Sequence, residues 1–168
     1  MTEEKGLYVL PRSREVTPTV WEMVRSMAPV LHQARLFGVS SPEQAAAIML
    51  KGYELGIGIT ASFELIQVID GRPSLSPRGA LAILQNAPEI KSIKVTRITD
   101  KDEKFVGYEC FIERSNGFSH TSRFTVEDAK RAGLVKPNSN WEKYPENLAM
   151  WRAIGFCADV VAPILRPA

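Results

Sequence analysis

The feature that most constrains this chain is a long apolar helix, which the sequence predicts from Pro145 to about Pro163. Proline is favoured at the first position of a helix, because its missing N–H would have no partner there anyway. Apolar residues then recur at helical spacing, namely Leu148, Trp151, Ala153, Phe156, Cys157, Val160 and Val161. An apolar surface this wide must be covered by other elements. We therefore expect the rest of the chain to supply the surface on which this helix packs.

A short capped helix and a polar loop lead into the long helix. Thr125 and Asp128 have the spacing of a capping box, in which the hydroxyl accepts from first-turn N–H groups and the carboxylate reaches back. Gly133 is placed to end this helix, since glycine adopts the left-handed conformation at little cost. The loop from Leu134 to Tyr144 follows, and it carries Lys136, Trp141, Lys143 and Tyr144.

Residues 90–125 predict an antiparallel meander. Its three strands are predicted at Ile90–Ile98, Phe105–Ser115 and Phe118–Phe124, joined by a charged turn and by the tight turn Asn116-Gly117. Apolar and polar residues alternate along the second strand, so one face is expected to be buried and the other partly wet. A three-stranded sheet cannot shield itself, and the long helix has the apolar face to cover it. The predicted fold class is therefore α+β.

Two helices are predicted upstream of the meander. Thr17 and Pro18 open the first, which should run to Gly38 with a kink or a break at Pro29. The second opens with Ser41, Pro42 and Gln44 and stops at Gly56, and its apolar set includes Ala45, Ile48, Met49 and Leu55.

A β-hairpin should follow within Phe63–Ser76, because Asp70-Gly71 is a strong signal for a two-residue turn. Ser76 and Pro77 then cap a helix that runs to about Asn86, with Leu81 and Leu84 facing inward. Arg72 and Arg78 flank the turn and the helix start, where nearby serines and backbone N–H groups could meet a phosphate. The alternative is a capping serine beside two solvated arginines.

With 168 residues the chain is about one domain. We expect residues 17–168 to form it and residues 1–16 to be a flexible arm, either a frayed tail or an oligomer contact. The net charge of +2 does not by itself point to nucleic acid. The sequence has no apolar run long enough to span a bilayer and no signal peptide, so we expect a cytoplasmic protein.

The sequence offers no recognisable catalytic or cofactor motif. Cys110 and Cys157 lack metal-ligand spacing and are interpreted as small buried hydrophobic residues in a reducing compartment. His32 and His120 stand alone, and the glycines at Gly56–Ile59 follow a helix instead of a strand, so they do not form a dinucleotide fingerprint. We therefore expect no enzyme activity, no metal and no cofactor.

Basic residues beside aromatic ones in the 134–144 loop are typical of single-stranded nucleic-acid binding, because cations contact phosphates and flat rings stack on bases. The alternative is that Trp141 anchors the loop to the core beneath a solvated charged face. The pattern alone leaves both readings open.

Two blocks of sequence resemble one known family. FTVEDAKRAGL, NWEKYP and LAMWRA follow in order between Phe124 and Ala153, and GYELGIGITASFELIQVIDGRPSLS occupies Gly52–Ser76. Their order is similar to the RecT family of phage-type recombination proteins, single-strand annealing proteins distantly related to bacteriophage Red beta. The resemblance spans most of the chain, roughly residues 41–165.

The resemblance implies a protein that binds single-stranded DNA and promotes ATP-independent annealing of complementary strands in homologous recombination or repair. It also implies a homo-oligomer, a ring or a filament, that acts on single strands or on the annealed duplex intermediate. The expected setting is the cytoplasm of a bacterial or phage-infected cell, with an exonuclease or a host single-strand binding protein as a possible partner. It implies that the hairpin and its helix pack beside the annealing core.

Arg152, the basic residue of the WRA motif, is the first candidate for a phosphate contact. The other nucleic-acid-binding candidates are Lys143, Tyr144, Trp141, Lys136, Lys130, Arg131, Arg123, Arg72 and Arg78. Glu146 and Asp159 depart from the family, whose members commonly carry basic residues at these places. These acidic residues motivate an alternative function: a structural or interaction protein of the same fold that oligomerises or docks a partner with little DNA affinity.

Overall fold

A computed structural model describes residues 14–163, so most of the predicted N-terminal arm lies outside the described residues. The helices are α1 (Pro18–Gln33), α2 (Pro42–Glu54), α3 (Ile59–Leu65), α4 (Pro77–Gln85), α5 (Val126–Arg131), α6 (Asn140–Lys143) and α7 (Pro145–Val161). The strands are β1 (Ile66–Ile69), β2 (Arg72–Leu75), β3 (Ile90–Thr99), β4 (Phe105–Arg114) and β5 (Ser119–Thr125).

The meander and its covering helix form as predicted. The three strands pair antiparallel in the order β3-β4-β5, with Cys110 of β4 opposite Val95 on one side and Ser122 on the other. Helix α7 packs on β4 and β5, and Ile112 of β4 and Ile154 of α7 are both buried in the same core. The α+β prediction is confirmed.

Small residues let α7 approach the sheet closely. Ala149, Ala153 and Cys157 recur at intervals of four along the buried face, and each is fully buried. Phe156 and Val160 instead lie on the outer face, with 48% and 43% of their surface exposed. The apolar surface of α7 is thus wider than the part that the described residues cover.

Helix α1 ends earlier than predicted and shows no break at Pro29. It passes through Pro29 without a break and ends at Gln33, about one turn before Gly38. Pro29 and Arg25, whose carbonyl loses its hydrogen bond, are both exposed, so water can replace the missing N–H. A short 3₁₀ turn, Leu36–Gly38, connects α1 to the next helix.

The second helix, α2, follows its prediction closely. The Ser41 hydroxyl accepts from the backbone N–H of Gln44 at 3.0 Å, and the helix stops before Gly56, which has a φ of 72°. All four predicted apolar residues, Ala45, Ile48, Met49 and Leu55, are buried.

The hairpin is formed by β1 and β2. Asp70 and Gly71 have φ values of 50° and 75°, the positive values that its two-residue turn requires. The hairpin occupies the later part of the predicted range, because residues 63–65 still belong to α3. Ser76 caps α4 as predicted, since its hydroxyl accepts from the N–H of Gly79 at 3.1 Å.

The two cysteines are far apart in the sequence but meet in the core, Cys110 on β4 and Cys157 on α7, and both are fully buried. A hydrogen bond with Cys157, together with burial, raises the pKa of the Cys110 thiol. Cys157 also donates to the carbonyl oxygen of His120 at 3.4 Å. Their interpretation as small buried residues is confirmed.

Among the described helices, none has the length and apolarity to cross a membrane.

The capping box joins β5 to α5. The hydroxyl of Thr125 accepts from the backbone N–H of Asp128 at 3.1 Å, and the carboxylate of Asp128 accepts from the backbone N–H of Thr125 at 2.9 Å. The Thr125 hydroxyl also donates to this carboxylate at 2.7 Å. These bonds to Thr125 lower the pKa of the Asp128 carboxyl. The carboxylate therefore contributes stability above its unfolded pKa of about 3.9, and this is lost as the pH falls through its lower folded value.

Replacing Thr125 by alanine should lower the free energy of unfolding by about 1 kcal/mol at neutral pH, because one cap is lost. Urea unfolding of both proteins from neutral to acid pH checks this. The difference in unfolding free energy between the two proteins should become smaller once Asp128 is protonated, since the Thr125 hydroxyl then no longer donates to a charged carboxylate. A difference that stays constant down to acid pH would contradict the role assigned to the carboxylate.

Candidate nucleic-acid interface

The β1–β2 hairpin presents one face to the core and another to solvent. Ile66 and Leu75 pair across the strands and are buried, and Val68 packs against the same core. The alternate pairs, Gln67 with Ser74 and Ile69 with Arg72, must point the other way, because side chains alternate along a strand. The outer face of the hairpin therefore carries one polar pair and one basic–apolar pair.

Arg152 of α7 faces this outer surface. A groove of about 620 Å³ lies between the hairpin and the helix, and its lining residues are Ile69, Asp70, Arg72, Ser74 and Arg152. Two arginines that the sequence places far apart thus share one groove. Their two guanidinium groups outnumber the single carboxylate of Asp70, so the groove suits an anion.

A second groove of about 500 Å³ is lined by Trp151, which precedes Arg152 on α7, and by Gln67, the cross-strand partner of Ser74 in the first groove. Asn147 lies one turn before Trp151, so both side chains share a face of the helix. The other lining residues come from the end of α3, the hairpin and the start of α4: Glu64, Gln67, Ser76, Pro77 and Arg78. We call the two depressions together the hairpin–α7 groove.

The structure brings Arg72, Arg78 and Arg152 to the hairpin–α7 groove and adds Trp151, which belongs to the predicted apolar set of the helix. Trp151 is half-buried, packs against the core and also lines the groove. The sequence contains part of the information needed to place Trp151 in the groove, because the spacing of Asn147 and Trp151 predicts that they share a face of the helix. That this face meets the hairpin depends on tertiary packing.

The remaining basic candidates lie on other elements, and two of them are engaged locally. Lys130 pairs with Glu127 at 3.7 Å and Arg131 pairs with Asp128, both within α5. Exposed ion pairs of this kind are weak, but they reduce the net charge that a phosphate meets. Arg123 on β5, Lys136 and Lys143 are exposed.

Trp141 belongs to the core. Its side chain is only 9% exposed, and its ring centroid lies 5.6 Å from that of Phe124. A base cannot stack on a ring buried in this way, so the base-stacking prediction is corrected and the core-anchoring alternative is right. Tyr144, at the start of α7, is 62% exposed.

Glu146, one of the two acidic departures, is held by Arg97 of β3. The guanidinium donates from Nε to Oε2 at 3.1 Å and from Nη2 to Oε1 at 2.9 Å, and it lies over the ring of Phe105, 5.2 Å from its centroid. The hydrogen bond from Arg97 lowers the pKa of the Glu146 carboxyl. The negative charge at the start of α7 is therefore largely balanced. Asp159 is exposed on α7, beyond Arg152.

No known protein-family model matches this chain, and no curated protein matches it significantly. The resemblance to the RecT family therefore stays a prediction from the motifs. Within residues 14–163 no group of three or more His, Cys, Asp or Glu side chains is arranged to hold a metal ion.

Proposed function

We propose that this chain binds single-stranded DNA in the hairpin–α7 groove and promotes ATP-independent annealing of complementary strands. The observation that carries the proposal is the convergence of Arg72 and Arg152 on one groove. The sequence predicts both as phosphate contacts, and each lies in a different block of the RecT-like pattern. Two guanidinium groups in a groove beside a partly exposed indole ring combine the two interactions that single strands need.

The physical route is alignment of one strand for pairing with another. Guanidinium groups hold the phosphates and lower the repulsion between two incoming backbones, and pairing itself supplies the sequence specificity. Duplex stacking supplies about 1.4 kcal/mol per base-pair step, so annealing needs no ATP once the register is found. In keeping with the resemblance, we propose that the working form is a homo-oligomer that acts in recombination or repair, where an exonuclease or a single-strand binding protein would supply or present the strand.

The test combines a binding and an annealing measurement at low salt. A fluorescent single-stranded oligonucleotide should shift in a gel in the presence of the protein, and complementary oligonucleotides should anneal faster with the protein than without it, in the absence of ATP. Affinity should fall as salt rises, because bound counterions are released on binding. A failure to shift at high protein concentration and low salt would contradict the proposal.

The second candidate function is that of an assembly or docking protein with little DNA affinity. It is favoured by the outer face of α7, where the exposed apolar side chains of Phe156 and Val160 flank the exposed carboxylate of Asp159. This face resembles a contact surface more than a phosphate site, because its charge is negative. The gel-shift experiment separates the two functions, since this second one predicts no shift.

A further inference from the structure

We propose that the Trp151 half of the hairpin–α7 groove is a pocket for one unstacked nucleobase of the bound strand. This inference rests on the proposed function and goes further, since it adds a contact to a base where the proposed function relies mainly on contacts to phosphates. The pocket measures about 500 Å³, within the range of small-molecule sites.

The indole of Trp151 is the stacking surface. The side chain is half-buried and packs against the main core, so its position is held before any ligand arrives. A ring fixed in this way loses little conformational entropy on binding, which favours stacking. Base–aromatic stacking is tolerant of sequence, because every base has a π face.

The polar side chains of the pocket match the edges of a base. Gln67 on β1 and Asn147 on α7 both line it, and each amide offers both donors and an acceptor. Glu64 also lines the pocket, and its carboxylate can accept from the amino group of a base. Arg78 supplies a cation at the start of α4, where the phosphate of the same nucleotide can be held.

The neighbouring half of the groove explains how a base reaches this pocket. Arg152 directly follows Trp151 along the helix, and it shares its groove with Arg72. We place the strand so that its phosphates contact these two arginines and one nucleotide reaches the Trp151 pocket. One nucleotide can turn into the pocket while its neighbours keep their edges free for pairing.

The experiment compares an intact single strand with one of the same length in which the bases have been replaced by abasic sites. Wild-type protein should bind the abasic strand about tenfold more weakly. In Trp151→Leu, which keeps an apolar side chain against the core, the intact strand should lose this advantage and the two strands should bind alike. Asn147→Ala, at an exposed helical position, should reduce the advantage without threatening the fold.

Arg152→Ala is the matched control, because it should weaken both strands by a similar factor and leave their ratio unchanged. Equal binding of the two strands by wild-type protein, or an undiminished ratio in Trp151→Leu, would overturn the pocket while leaving the proposed function intact. If the protein binds neither strand, both the pocket and the proposed function are overturned. Urea unfolding confirms that each variant is folded.

Discussion

Replacing Arg152 by alanine is expected to weaken single-stranded DNA binding by about 10- to 100-fold. The side chain lines the hairpin–α7 groove with Arg72, and hydrogen bonds to a charged group contribute about 1.5–3 kcal/mol each. The loss should depend on salt, since one phosphate is no longer neutralised. The slope of the logarithm of affinity against the logarithm of salt concentration should fall by about 0.7 for a single strand.

Fluorescence anisotropy over a series of salt concentrations measures both quantities. Arg131→Ala is the control, because it removes the same charge from an exposed residue of α5 that already pairs with Asp128. We expect that variant to change affinity by less than about threefold, since exposed pairs contribute little. If Arg131→Ala and Arg152→Ala weaken binding equally, the strand is not held in the hairpin–α7 groove.

Several parts of the fold that the sequence predicts correctly are decided by neighbouring residues. Thr125 and Asp128 cap α5 through each other, and Asp70-Gly71 makes its turn through its own positive φ values. The same holds for Pro145, which starts α7 because of its own geometry. Helix α1 continues through Pro29 because the positions that lose the hydrogen bond are exposed to solvent.

The same distinction between local patterns and tertiary packing applies to the candidate site. Arg72, Arg78 and Arg152 were identified from local patterns, but their meeting in one groove depends on how the hairpin packs beside α7. The pairings of Lys130 and Arg131 could have been predicted, since Glu127 and Asp128 stand three residues earlier on the same helix. The burial of Trp141 and the partial exposure of Trp151 could not be predicted, because the contacts of both rings depend on tertiary packing.

Replacing Gly107 by alanine should destabilise the protein by about 3 kcal/mol, near the upper end for overpacking in a core. Gly107 is buried in β4, opposite Thr125 of β5. A Cβ atom at this position would collide with the carbonyl oxygen of Phe124 and lie 2.7 Å from the Cα of Thr125. Both are backbone atoms, so no change of rotamer can relieve the contact, and the two strands would have to separate.

The matched control is Gly58→Ala, where an added Cβ would meet no atom within 4 Å. Gly58 precedes α3 with a φ of −61°, which alanine also adopts. The stability change there should stay within about 1 kcal/mol, because a poorer cap is offset by a less flexible unfolded chain. Urea unfolding of the two variants measures the difference. If both variants lose the same free energy of unfolding, β4 and β5 are not packed as tightly as described. The position of α5 beside α7 would then also be in question, because its N-cap, Thr125, is the β5 residue opposite Gly107.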